Sequence, residues 1–126
     1  AYVAMECKTN LDKTMFQEAA ATALDLKTSV PSAKYYLLCE WLDMTPISSG
    51  TTAIDEVIIL RKAKRLPSNI RNSFNTAEGR KSYREFFEEY LKRNPYSVDM
   101  FKRIGHHVLD LVLSSPEDDV LKRGHF

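Results

Sequence analysis

Tyr2-Val3-Ala4-Met5-Glu6-Cys7-Lys8 is an apolar run that ends in opposite charges two residues apart. A β-strand sends successive side chains to opposite faces. On a strand, Glu6 and Lys8 therefore project together, while Val3, Met5 and Cys7 point the other way. A carboxylate beside an ammonium at the end of a buried strand points to hydrolytic metal chemistry. The carboxylate can hold a hard divalent cation, and the lysine can position or deprotonate a water or stabilise a pentavalent phosphate. An ordinary ion pair at a strand end is the competing reading. Asp25-Leu26-Lys27 repeats the pattern inside a helical stretch, where residues two apart do not face each other.

The context after the first tripeptide gives it weight. Thr9 and Asp12 have the spacing of a helix cap, so the sequence predicts a helix over about 11–26. Met15, Ala19, Ala23 and Leu26 form one stripe of that helix, and its many alanines imply close approach to a sheet. After Pro31, residues 34–42 are apolar on both faces, as in a central strand covered by helices. Strand, helix and strand of these lengths predict parallel neighbours. Residues 45–52 read as a polar loop and 54–60 as a further strand. Thr76 is placed to cap a helix over 77–93, with Tyr83, Phe86, Phe87, Tyr90 and Leu91 as its core stripe. Ser97 is placed to cap another over 98–113, with Phe101, Ile104, Val108, Leu111 and Val112 inward. The tail after Pro116 reads as loose.

Composition bounds the rest. The 126 residues suit one domain, 44% hydrophobic and 28% charged, and no apolar stretch approaches a membrane span. The two cysteines, Cys7 and Cys39, lack metal-type spacing and read as buried reduced thiols, which favours the cytoplasm. Net charge is +1, but residues 61–84 carry eight bases against one acid. Such a block is the footprint of a polyanion partner, or alternatively a solvated surface. The chain opens on a core strand with no preceding loop, as would a C-terminal piece of a longer protein.

Glu6-Cys7-Lys8-Thr9, then Leu11-Asp12-Lys13-Thr14-Met15, then Tyr35-Tyr36-Leu37-Leu38-Cys39-Glu40-Trp41-Leu42 resembles the PD-(D/E)xK nuclease superfamily. Within it, the run is most similar to type II restriction endonucleases that cut asymmetric sites with two-subunit arrangements. The resemblance covers about residues 3–62. It implies an α/β fold, a mixed central sheet flanked by helices, here without the N-terminal elements of the core. It implies a magnesium-dependent endodeoxyribonuclease acting on double-stranded DNA as a homo- or heterodimer or with a second subunit. Glu6 would be a metal ligand, Cys7 a ligand through its backbone carbonyl, and Lys8 the catalytic lysine. The family's aspartate is missing, because none of the five residues before Glu6 is acidic; either it lies upstream of this piece, or the piece is inert alone. Two other readings stay open: a repair or recombination nuclease of the same fold, and a catalytically incomplete DNA-binding or assembly module.

Further residues join these. Gln17 sits one turn after Lys13, where related nucleases place a Gln or Glu near the site, and Glu18 is the alternative if a metal ligand has migrated. Lys13 could reach a phosphate with the helix N-terminus. Arg61, Lys62, Lys64, Arg65 and Arg71 are the DNA-facing candidates of the basic block. Glu40, the one charge in an apolar strand, either has a cationic partner near the strand end, the favoured reading, or belongs to a site. His106 and His107 are consecutive on a helix, hence about 100° apart, and cannot ligate one metal together.

Overall fold

The computed structural model describes residues 2–113 and 116–125. Strand β1 (Val3–Leu11) leads into helix α1 (Lys13–Ser29), strand β2 (Lys34–Leu42), a 3-10 turn at Ser49–Thr51 and strand β3 (Glu56–Ile59). Helices α2 (Ser68–Ser73), α3 (Ala77–Arg93), α4 (Val98–Leu113) and α5 (Pro116–Arg123) follow. The three described strands form one sheet in the order β1-β2-β3, all parallel, with α1 as the first crossover. The α/β class and helix-flanked sheet expected from the sequence stand. The segment after Pro116, expected to be loose, is helical.

The first helix starts later than the Thr9 cap predicts. Thr9 stays within β1, and Asn10 and Leu11 continue the strand opposite Trp41 and Leu42. Asp12 is the N-cap instead: its backbone is extended and its carboxylate accepts the Met15 N–H at 2.8 Å. Sheet pairing thus overrides the earlier cap, and Glu6 and Lys8 come to lie mid-strand rather than at its end.

Helix α1 packs on the sheet through Phe16, Ala19 and Ala23, the two alanines fully buried. With only a methyl group at the two alanine contacts, the helix axis can approach the strands closely there. Leu11, Tyr35, Leu37, Cys39 and Ile54 complete this core. Strand β2 is covered on both faces, as its apolar run predicts. Strand β1 is not: Met5, Cys7 and Thr9 are exposed. This corrects the expectation that Cys7 is buried. It sits on the opposite face from α1, and no described element covers it.

Helices α3 and α4 are held differently from the sequence expectation. Tyr90 stacks on Trp41 at 5.4 Å, and Phe74 of the α2–α3 turn meets Tyr83 and Phe87. Tyr83, Phe86 and Phe87 nevertheless remain at least 38% exposed, because small α2 covers only part of the stripe. On α4, Phe101, Val108 and Val112 are exposed, and the sheetward stripe is Met100, Ile104, His107 and Leu111. Polar anchors explain the rotation. The His107 ring stacks on Tyr36 at 4.7 Å, and both His107 and Arg103 pair with Glu56 of β3.

Candidate active site

β1 presents Ala4, Glu6 and Lys8 toward α1, in register with Tyr35, Leu37 and Cys39 of β2. Lys8 Nζ lies 3.2 Å from Glu6 Oε1, so the two-residue spacing places the charges as predicted. Glu6 Oε2 accepts a hydrogen bond from the Tyr35 hydroxyl. From α1, Glu18 Oε2 approaches Lys8 Nζ to 3.8 Å. The site is therefore a chain of contacts running from Tyr35 through Glu6 and Lys8 to Glu18. Tyr35 is itself fixed: its N–H donates to Asp55 Oδ2 at 2.7 Å, and Asp55 also pairs with Lys27 and Lys34.

The electrostatics follow from these contacts. The Glu6 hydrogen bond holds the Lys8 ammonium above its usual range; partial burial opposes this, and the charges of Glu6 and Glu18 add to it. Lys8 is thus a cation at neutral pH. Beneath it, burial pushes the Cys39 thiol up to about 12, with Glu6 adding and Lys8 subtracting. Cys39 is therefore an inert thiol in this setting.

Of the predicted site residues, the fold brings Glu6 and Lys8 together and leaves Gln17 exposed on α1. The side chain that closes on Lys8 is Gln17's neighbour, Glu18. Lys13 is exposed beside an open depression of about 610 Å³ that Asp12 and Asp43 also line. Among the described residues, no group of three or more His, Cys, Asp and Glu side chains is placed to hold a metal. The Glu6 carboxylate and the Cys7 carbonyl are hard oxygen donors of the type magnesium takes, but they are too few to hold it alone.

The basic block divides. Arg61 Nε pairs with Glu40 Oε1 at 2.8 Å, and its Nη1 donates to Asn94 O at 2.9 Å. Its guanidinium lies 3.9 Å from the Tyr96 ring centre. Glu40 thereby gains the cationic partner its burial calls for, and Arg61 is engaged within the fold. Arg71 Nε donates to Leu66 O at 2.8 Å, and Arg65 and Arg71 line a cavity of about 220 Å³ with Thr9, Glu40 and Trp41. Lys62 and Lys64 are exposed.

Tyr35 is the site residue that the sequence did not single out. Its apolar surroundings mark it as core, and only the parallel register places its hydroxyl at Glu6.

A short parallel sheet that carries Glu-x-Lys on the strand before the crossover helix defines the class: a restriction-endonuclease-like α/β domain. The Bpu10I restriction endonuclease family model matches residues 1–126, and the chain belongs to that family. It is thereby a type II restriction endonuclease-like protein. A comparison with curated proteins returned no match. Among solved structures, one described as "native BbvCI A2B2 tetramer at low resolution" is 37% identical with a TM-score of 0.45. The alignment covers 56% of this chain and 27% of that one, so the chain spans about a quarter of that chain's length.

Proposed function

We propose that this chain contributes the catalytic strand of a magnesium-dependent endodeoxyribonuclease that restricts double-stranded DNA. The observation that carries the reading is the Glu6–Lys8 pair on one face of β1, in a chain of a restriction endonuclease family. Bound magnesium would be held by Glu6 and the Cys7 carbonyl, and it would polarise a phosphodiester oxygen and activate water.

The chain's own residues divide the remaining work. Glu6 is oriented by two hydrogen-bond partners on different strands. Lys8, held as an ammonium, orients the attacking water and offsets the charge that builds on the phosphate. Glu18 holds Lys8 from the helix side and is the nearer helix carboxylate to the site, with Gln17 beside it. Among the described residues β1 pairs only with β2, so its other edge presents free backbone donors and acceptors. A further strand laid along that edge would bring a second carboxylate to Glu6. Lys62 and Lys64 would grip phosphates, together with Lys13, Arg65 and Arg71. Such contacts give affinity and register without base specificity. Arg61 supports this surface from within. A homodimer or a second subunit would supply the cut on the other strand.

The test is cleavage of plasmid DNA with and without magnesium, by the enzyme assembled with the segment or subunit that supplies the second carboxylate, and by its Glu6→Ala and Lys8→Ala variants. The isolated chain is expected to cleave poorly or not at all. Magnesium-dependent cleavage that both substitutions abolish is the expected result. Binding of DNA without cleavage, unaffected by either substitution, would instead identify an assembly module of the same fold.

A further inference from the structure

We infer that Tyr35 is a positioning residue for the Glu6 carboxylate, setting which oxygen faces Lys8 and which way the carboxylate turns toward a metal. The inference rests on the nuclease reading of the Glu6–Lys8 pair.

The geometry has three parts. The Tyr35 side chain is core, with 3% of the residue exposed, so its ring cannot swing out to solvent. Its hydroxyl donates to Glu6 Oε2, while Oε1 is taken by Lys8 at 3.2 Å. The two carboxylate oxygens thus have different partners on different strands, which removes the freedom of the glutamate's terminal torsion. Third, the Tyr35 backbone is pinned from the far side by Asp55 Oδ2 at 2.7 Å. Asp55 lies just ahead of β3, so the orientation of Glu6 on β1 is referred through β2 to the third strand.

A buried hydroxyl seeks a partner, and a carboxylate is a stronger acceptor than a neutral group. The same bond that satisfies Tyr35 therefore turns Glu6. Oriented carboxylates bind metal better than free ones, and loss of such an outer partner typically weakens metal affinity or activity about 10- to 100-fold.

The deciding variant is Tyr35→Phe, which keeps the ring in the core and removes only the hydroxyl. In the enzyme assembled with the source of the second carboxylate, the magnesium concentration for half-maximal plasmid cleavage is expected to rise about tenfold or more, within the range for such partners. DNA affinity without magnesium should stay unchanged, because Tyr35 is buried away from any phosphate. A magnesium dependence within about twofold of the unmodified protein, with Lys8→Ala inactive, would overturn the positioning role and leave the nuclease reading intact. Cleavage that survives Lys8→Ala would overturn the nuclease reading itself, and the Tyr35 role with it. A second measurement, which leaves Tyr35 in place, guards against a Tyr35→Phe variant that does not fold. The Tyr35 hydroxyl proton is expected as an exchange-protected downfield NMR resonance that Glu6→Gln displaces. A resonance indifferent to Glu6→Gln would refute the contact on which the role depends.

Discussion

Lys8 Nζ sits 3.2 Å from Glu6 Oε1 and 3.8 Å from Glu18 Oε2, held between a strand carboxylate and a helix carboxylate. The Glu6 hydrogen bond chiefly raises the ammonium above its ordinary value of 10.5. The sign has two consequences. Any stability that Lys8 contributes through this pair is fully present below its unfolded value and is lost as pH rises through the higher folded one. At neutral pH Lys8 is therefore a cation and a hydrogen-bond donor. Lys8→Ala is expected to lower cleavage by about 100-fold or more while DNA binding persists, in line with the loss of a positioned catalytic group. The pH–rate profile should show no ionisation of Lys8 near neutrality, and a limb there that disappears in Lys8→Ala would assign it the role of base.

Arg61 and its neighbours should separate in two assays. Removing the Arg61 side chain strands Glu40 on a covered strand and breaks the tie to Asn94 O at the end of α3. Breaking a buried ion pair costs about 3–5 kcal/mol, and Glu40's 26% side-chain exposure puts this one toward or below the lower end. Arg61→Ala should therefore lower the denaturation midpoint clearly. Lys62→Ala with Lys64→Ala should change stability by about 0.5 kcal/mol or less. The lysine pair should instead flatten the slope of log DNA affinity against log salt by up to about two units. An unchanged slope would make both lysines mere solvating charges.

The same contrast explains what was legible in the sequence. Glu6 and Lys8 could be placed because a strand's period is two and needs no tertiary information. The bounds of β2, α3 and α4 were also legible, since Pro31, Thr76, Pro95 and Ser97 punctuate the chain locally. Arg61 could not be told from Lys62, because only the packing of α3 against the end of β2 decides which cation is enclosed. Tyr35 was hidden in the same way by strand register. The aromatic stripe of α3 and the apolar residues of α4 misled for a related reason. Periodicity shows that a helix is amphipathic but not which described element covers its apolar face. On α4, polar contacts to Glu56 set the rotation instead.

Gly79 tests the α2–α3 junction. A Cβ at this position would lie 1.6 Å from the Ser73 carbonyl oxygen, a backbone atom that cannot move without unwinding the end of α2. Thr76, whose hydroxyl accepts the Gly79 N–H at 3.0 Å, would be crowded as well. In an open helix Gly→Ala stabilises by up to about 1 kcal/mol. Here Gly79→Ala should destabilise, and a raised thermal midpoint would mean that α3 is not held against α2 in this way.

The cysteines give a fold test that needs no activity. Cys7 is exposed on the open face of β1, and Cys39 is fully buried on β2 beneath Lys8. Burial pushes the Cys39 thiol up to about 12, so at pH 8 it is almost wholly protonated as well as shielded. The thiolate is the reactive form, so the two sites should differ in both access and ionisation. A thiol reagent should modify one equivalent quickly in the native protein and the second only on unfolding, and Cys7→Ser should remove the fast phase. Two fast equivalents would place Cys39 at the surface and dissolve the β1–β2 register on which the Glu6–Tyr35 contact depends. Two slow equivalents would mean that the open face of β1 is covered in solution, as it would be if a second subunit or a further segment docked there.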